Sequence, residues 1–442
     1  MSEDVIHAAT RSFYNWAGCT IGGSAHAATT TARRALARFS GPPTSHLLGS
    51  DNGTDTDASH AALINGIASH MHDYHDTHLD TIIHPTGPVT SALLAMAESL
   101  ESCVSGAQFI TALVAGIEAE CKVGLAVWPS HYDVGWHITS TTGAIGAAVS
   151  IAKLLALSES RTAHAIGLAA TQVTGLREMF GSHAKSFHPG RAAQNGFLAA
   201  VLAAEGYTGS MQALEAKRGW ASVVSAEHDL DAQMESLGLV GRWEIVRNAF
   251  KPFPSGIFVH PVIDGCVWVH GEMERRGLWS DAIQSVEIDV HPLVVELTGK
   301  TTPKDGLEAK FSVYHGGCGR PGIWQGHVGA ALRADGCRVI VHVRETDESS
   351  IAMVKCIGHA VGSLEQPMQV ADDQLVDKFL DECIPGRVED ITEVILGTPP
   401  GHNYISPDKV PTERKLRGKL HLLRPGSNQN AWLEALDQVS NV

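Results

Sequence analysis

At 442 residues the chain is longer than one ordinary core encloses, so two domains are expected. Its 44% hydrophobic and 18% charged residues are those of a globular protein, and the low aromatic content beside 44 glycines points to close-packed helices with small contact residues. A formal charge of −15, with no Lys/Arg cluster longer than two, excludes a nucleic-acid face but leaves room for a local cationic pocket that takes an anionic substrate.

The eight cysteines are scattered and none forms CxxC, which fits free thiols in a reducing, cytoplasmic setting. Met1-Ser-Glu-Asp4 lacks a basic and then apolar leader, so no secretory signal is expected. No uninterrupted apolar run reaches membrane-spanning length, so no membrane partner is expected either.

Residues 1–250 read as helices. The first informative stretch is Ser69–Gly87, which holds His70, His72, His75, His78 and His84 with Asp73, Asp76, Asp80 and Tyr74. Apolar or small residues on most faces then predict buried helices over Val89–Ser102, Gly106–Val127, Thr141–Ala156 and Ala192–Ala204. Ser158 offers a cap before a further helix, and Gly206 stops the last one. Lys251-Pro-Phe-Pro254-Ser-Gly256 marks a boundary. Beyond it, Ser285–His291 alternates strictly and Arg338–Val343 is rich in β-branched residues, so two strands are predicted in a smaller α+β domain over 251–364. Helical pattern returns at Ala371–Cys383 and Asn430–Leu436, which makes 365–442 a candidate to rejoin 1–250.

Titratable side chains at the density of Ser69–Gly87 are costly against a buried helix unless they bind or react. On a helix, His72, His75 and His78 would share one face, and Asp73 and Thr77 another. The segment lacks HExxH and fits no standard zinc spacing, so acid/base chemistry is the leading reading, with a metal site and helix capping as the others. His84-Pro85 fixes an extended backbone at His84. Gly135-Trp-His137 precedes a Thr/Ser-rich helix start, a place for a carboxylate. Lys185, His188 and Arg191 recur at helical intervals, with Pro189-Gly190 expected to interrupt the helix, and form a cationic clamp in which Lys185 is also a possible base. Lys251 and His260-Pro261 flank the boundary, where clefts form. Tyr314 supplies a phenol. The absence of GxSxG, GxGxxG after a strand, Walker A and kinase signatures leaves organic cofactors without sequence support.

In this order the motifs resemble the MmgE/PrpD family: His72-Asp73-Tyr-His-Asp-Thr77 with His84-Pro85, Gly135-Trp-His137, Lys185-Ser-Phe-His188-Pro-Gly-Arg191-Ala-Ala, Lys251-Pro-Phe-Pro-Ser with His260-Pro261, and Glu308-Ala-Lys-Phe-Ser-Val-Tyr314. The resemblance implies a large all-helical domain with a smaller α/β lid domain, a cofactor-free and metal-free cleft between them, a homodimer, and proton transfer beside a carboxylate of a small polycarboxylate. Site positions carried over are Asp73, Thr77, His84, His137, Lys185, His260 and Tyr314. Two departures stand out. The family has another helix before the segment matching Ser12–Gly23. Its Ala/Val/Leu-rich helix after the tyrosine is replaced here by Gly316–Gly329, a Gly- and Pro-containing run that a shifted reading frame in the source sequence would explain.

The reading that follows is an enzyme abstracting a proton α to a carboxylate. Lys185, Tyr314, His84, His137 and Asp73 are assigned to catalysis, and Thr77, His188, Arg191, Lys251 and His260 to substrate binding. His70, His75 and His78 are assigned to helix surface or capping. Two bases on separate elements favour epimerisation of an iminodisuccinate-type dicarboxylate, ahead of 2-methylcitrate-type dehydration and cis-aconitate-type decarboxylation. A non-catalytic carboxylate-binding protein and a metal-dependent hydrolase are the readings from other classes.

Overall fold

The computed structural model describes residues 1–50, 55–239, 241–279, 282–318, 324–328, 337–344 and 350–357. The chain is mainly α, with a few small sheets. In chain order the first elements are α1 (Glu3–Gly23), α2 (Ala27–Leu36), β1 (Ser45–His46), β2 (Asp55–Thr56), α3 (Ala58–Ser69), β3 (Asp76–His78), α4 (Thr86–Ser99), α5 (Gly106–Val127) and α6 (Ser130–Val134). They are followed by α7 (Ile138–Leu154), α8 (Glu159–Ala170), α9 (His183–Ala204), α10 (Trp220–Val224), α11 (Leu230–Met234) and β4 (Asn248–Phe250). The expected helices over Gly106–Val127, Thr141–Ala156 and Ala192–Ala204 are α5, α7 and the second half of α9. Ser158 caps α8 by accepting a bond from Arg161 N, and Gly206 follows α9 at φ 93°.

Helix α7 is buried along almost its whole length and packs on α5 and α9; α3 lies against α9 and α4. Small residues allow this closeness. A Cβ on Gly66 would stand 2.5 Å from the Gly190 Cα, and one on Gly116 would stand 2.7 Å from the Gly146 carbonyl oxygen. Around these contacts Val89, Leu93, Phe109, Leu113 and Ile117 fill one core, and Ile145, Ala148, Ala199 and Trp220 another. Each buried Val, Leu, Ile or Phe contributes about 1.5–3 kcal/mol.

Helix α9 corrects one expectation: it runs unbroken through Pro189-Gly190. Proline forfeits one backbone bond and crowds the preceding turn, at about 3 kcal/mol. Burial of Ala192, Ala193, Ala199 and Ala200 against the neighbouring helices outweighs that cost, and Gly190 is where α3 comes closest.

Beyond residue 251 come α12 (His260–Arg275), β5 (Ile283–Val290), α13 (Pro292–Thr298), α14 (Gly306–Ala309), α15 (Val313–Cys318), β6 (Trp324–Val328), β7 (Cys337–Arg344) and β8 (Ser350–Ile357). The strands form one sheet in the order β6-β5-β7-β8, parallel between β5 and β6 and antiparallel elsewhere. Alternation along β5 turns Val286, Ile288 and Val290 onto α12, where they meet Val262, Val269, Val339 and Val343. The helices expected at 371–383 and 430–436, and the return of 365–442 to the helical bundle, lie outside the described residues. No helix among the described residues is long and apolar enough to cross a membrane.

Candidate active site

The histidine-rich segment is not a helix. Helix α3 ends at Ser69, Asp73 takes φ 52°, and residues 76–78 pair antiparallel with β4 through Asp76↔Phe250, Thr77↔Ala249 and His78↔Asn248. An aspartate enters the left-handed region at little cost, so the turn reverses the chain where a helix was expected. Of the assignment of His70, His75 and His78 to helix surface or capping, the surface part fails because all three are buried, while His70 does stand at the C-cap of α3. His78 is structural: its ring bonds Thr81 Oγ1 at 2.8 Å and the Glu244 carboxylate at 3.0 Å. His70 and His75 stack at 4.0 Å between ring centroids, and His75 meets His84 edge-on at 4.1 Å. Pairing of β3 with β4 also places Lys251, the next residue of that strand's chain, 3.2 Å from His75 Nε2.

Asp73 is the hub. Its Oδ1 accepts a bond from Lys185 Nζ on the first turn of α9, its Oδ2 lies 2.6 Å from Lys310 Nζ after α14, and Lys251 Nζ stands 3.9 Å from Oδ1. All four side chains are buried. Burial alone would raise the Asp73 carboxyl; Lys185, Lys310 and Lys251 together hold it well below the usual carboxylate range. Burial lowers the Lys185 ammonium, with Asp73 opposing. Lys251 is pushed down to about 7 by burial, against the pull of Asp73 and with the repulsion of Lys185 and Lys310. An amine titrating near neutrality can take or give a proton at working pH.

Imidazoles form the facing wall. His84 Nδ1 lies 2.8 Å from the Asp76 carbonyl oxygen and 3.1 Å from Thr77 Oγ1. A carbonyl only accepts, so Nδ1 carries the proton and Nε2 keeps the lone pair. Burial, then Lys251 and Lys185, hold this ring well below its ordinary pKa, so it is a neutral base. His137 stands at the N-terminal cap position of α7 without a side-chain capping bond, and its Nδ1 lies 2.9 Å from His188 Nδ1. One of these nitrogens donates and the other accepts, so the two rings are held in complementary tautomers. Burial lowers both, His188 to about 4. Among the described residues no three His, Cys, Asp or Glu side chains converge on a metal-sized point, and the neighbours of these imidazoles are ammonium groups, which repel a cation.

These groups surround a cavity of about 30 Å³ lined by Asp73, Ile82, His84, His137, Lys185 and Lys251, together with Tyr132, Phe180, Phe258, Thr298 and Phe311. Ile82 holds φ 59°, a strained state for a β-branched residue and one found where a site over-determines the backbone. The 175–182 loop closes the cavity from one side: Phe180 stacks on Phe311 at 5.4 Å, and Arg177 bonds Glu296.

The structure thus brings together Asp73, His84, His137, Lys185 and Lys251, with Thr77 supporting His84 and His188 supporting His137. It places three expected residues elsewhere. Arg191 turns along α9 to Gln194 Oε1 at 2.6 Å, one turn beyond His188 and outside the cavity lining. Tyr314, on α15, is half-buried against the apolar cluster beneath the sheet and is not among the residues that line this cavity. His260 is buried at the start of α12, 3.3 Å from the Ser255 carbonyl oxygen. Sequence reasoning missed His70, His75, Lys310 and Phe311. Lys310 and Phe311 lie inside the motif around Tyr314, so the signal was present in the sequence.

A buried lysine–carboxylate cluster faced by imidazoles, in a mainly helical chain, is thus what the fold assembles at this cavity. The chain belongs to the MmgE/PrpD family: the family's N-terminal domain model matches residues 1–233 and its C-terminal domain model residues 253–319. The second match ends inside the Gly316–Gly329 run that departs from the expected pattern. Relatives include the human cis-aconitate decarboxylase, 28% identical over 59% of this chain and 54% of its own length. A cis-aconitate decarboxylase-like protein of Aspergillus oryzae is 34% identical over 36% of this chain and 34% of its own. The cis-aconitate decarboxylase of Aspergillus terreus is 32% identical over the same shares. The chain spans about half the length of the human relative and about a third of the fungal ones.

Proposed function

We propose that the chain is an enzyme that moves a proton beside a carboxylate of a small polycarboxylate without an organic cofactor, and that its reaction is a lyase reaction of the cis-aconitate decarboxylation type. The observation that carries this reading is the buried Asp73–Lys185–Lys251 cluster set against neutral His84 and His137 on one cavity. Lys185 and Lys251 hold substrate carboxylates and stabilise the charge left on the carbon skeleton when carbon dioxide or a proton leaves. Lys251, titrating near 7, delivers or takes the proton; His84 Nε2 is the opposing base, and the His137–His188 pair fixes the far side. The cavity holds a water or two, so substrate enters when Phe180 and Phe311 part, and their return excludes water.

The decarboxylase names of three relatives favour the lyase reading over the epimerisation expected from the sequence. Epimerisation stays as the second reading on one observation: proton-handling groups reach the cavity from separate elements, Lys185 from α9, Lys251 after β4 and His84 before α4. The deciding experiment incubates purified protein separately with cis-aconitate, 2-methylcitrate and iminodisuccinate in deuterated water, followed by proton NMR and carbon dioxide release. Carbon dioxide with a deuterated alkene product is expected from cis-aconitate. Deuterium wash-in without loss of carbon dioxide or water from iminodisuccinate would move the assignment to epimerase. No turnover and no exchange with any of the three would refute the reading.

A further inference from the structure

Lys310 lies behind the cavity rather than on it, yet it is tied into the site at three points. Its Nζ stands 2.6 Å from Asp73 Oδ2 and donates to the Met71 carbonyl oxygen, and its own carbonyl accepts a bond from Gly256 N at 2.9 Å. Gly256 and the adjacent Phe311 both line the cavity. The two oxygens of Asp73 are therefore divided: Oδ1 faces Lys185 and Lys251, and Oδ2 faces Lys310. Three ammonium groups share one carboxylate, and the one turned away from the cavity takes a full carboxylate oxygen.

We propose that Lys310 is a positioning residue: by neutralising Asp73 from behind, it leaves Lys185 and Lys251 with a net positive field toward the cavity, and it locks the 306–311 segment against the cavity wall. The proposal rests on the polycarboxylate reading above for the purpose of that field, but not for its effect on Lys251. Were Lys310 uncharged, Asp73 would spend its charge on Lys185 and Lys251 alone, and both would hold their protons more tightly.

The other groups facing Lys251 are His75 and Asp76 from the turn and β3, His84 before α4 and Cys19 on α1, besides His70, Asp73 and Lys185. Those facing Lys310, besides Asp73, Lys185 and Lys251, are His26, His70 and His72. Removing the Lys310 charge also relieves its repulsion of His26, His70 and His72, so the charge is separated from packing by two substitutions. Lys310→Gln removes the charge and keeps a donor for the Met71 carbonyl; Lys310→Arg keeps the charge.

Two measurements test the idea on the full chain. The pH profile of Lys251 carbamylation by cyanate, read by peptide mass spectrometry, reports that amine with no substrate present. Its midpoint is expected to rise by about half a unit or more in K310Q and to stay near the wild-type value in K310R. Calorimetric binding of tricarballylate, a saturated tricarboxylate, is expected to be about tenfold weaker in K310Q at pH 6, below the value near 7 of Lys251, and near wild type in K310R. An unchanged carbamylation midpoint in K310Q overturns the proposal, as does an equal displacement in K310R, which would mark a packing role. A displaced midpoint in K310Q alone, with no tricarballylate binding to the wild type, supports the control of Lys251 by Lys310 and refutes the polycarboxylate reading instead.

Discussion

Replacing Asp73 by Asn removes one charge, keeps the shape, and suits the left-handed backbone at that position. At an effective dielectric of about 20, the Lys310 approach of 2.6 Å and the Lys251 separation of 3.9 Å correspond to attractions of about 6 and 4 kcal/mol. Desolvation of the four buried groups offsets much of this, and breaking such a cluster from one side costs about 3–5 kcal/mol. The sign of the pH dependence follows from the lysines. Without Asp73 the folded pKa values of Lys185 and Lys251 fall further below the unfolded value of about 10.4, so the unfolded chain binds more protons between those limits and stability climbs with pH. The deficit of D73N relative to wild type is therefore expected to be largest near pH 6.5 and to shrink toward pH 9.5. Urea unfolding followed by tryptophan fluorescence at both pH values measures it. Asp80→Asn, which touches only the exposed pair with Arg247, is the control and should change stability by less than about 1 kcal/mol. A D73N protein as stable as wild type at pH 6.5, or one with the same deficit at both pH values, would refute the cluster's energetics.

Lys251→Arg should lower kcat/KM by about 10²–10⁴-fold and remove the limb near pH 7 from its pH profile, because arginine cannot titrate there; a surviving limb would assign that proton to another group. Glu120 is fully buried, with Oε1 3.5 Å from Thr142 Oγ1 and Oε2 unbonded, and burial followed by Asp76 raises its carboxyl well above the usual range. A raised carboxyl loses stability as pH climbs above its unfolded value, so Glu120→Gln should be at least as stable as wild type at pH 7, with the gain growing from pH 5 to 8; chemical denaturation across that range decides. Gly66→Ala would set a methyl 2.5 Å from the Gly190 Cα and should destabilise by about 1–3 kcal/mol, seen as a lower urea midpoint, whereas an unchanged midpoint would mean the two helices are not in contact.

Much of the scaffold was legible from local pattern. Small and apolar residues around every face of Gly106–Val127 or Thr141–Ala156 have no stable place except inside a bundle, and the alternation of Ser285–His291 fits only a half-covered strand. The family, too, was legible, since five short motifs in a fixed order survive without knowledge of their contacts. Local pattern failed where a distant partner set the backbone. His72–His78 has helical spacing, but the left-handed turn at Asp73 and pairing with Asn248–Phe250 override it. Pro189 signals a break, but packing around Gly190 carries the helix through.

The sequence by itself determined the helical class, the acidic balance with its few cationic motifs, and most of the side chains that meet at the cavity. It did not determine which of them touch. Lys185, Lys251 and Lys310 are far apart along the chain and carry the same chemistry as any surface lysine until the fold buries all three around Asp73. Tyr314 and Arg191 looked equally eligible, and only the fold places them outside the lining of this cavity. Burial and approach within a few ångströms turn an ordinary amine into one that titrates near 7, and both are properties of tertiary packing, to which composition and spacing are blind.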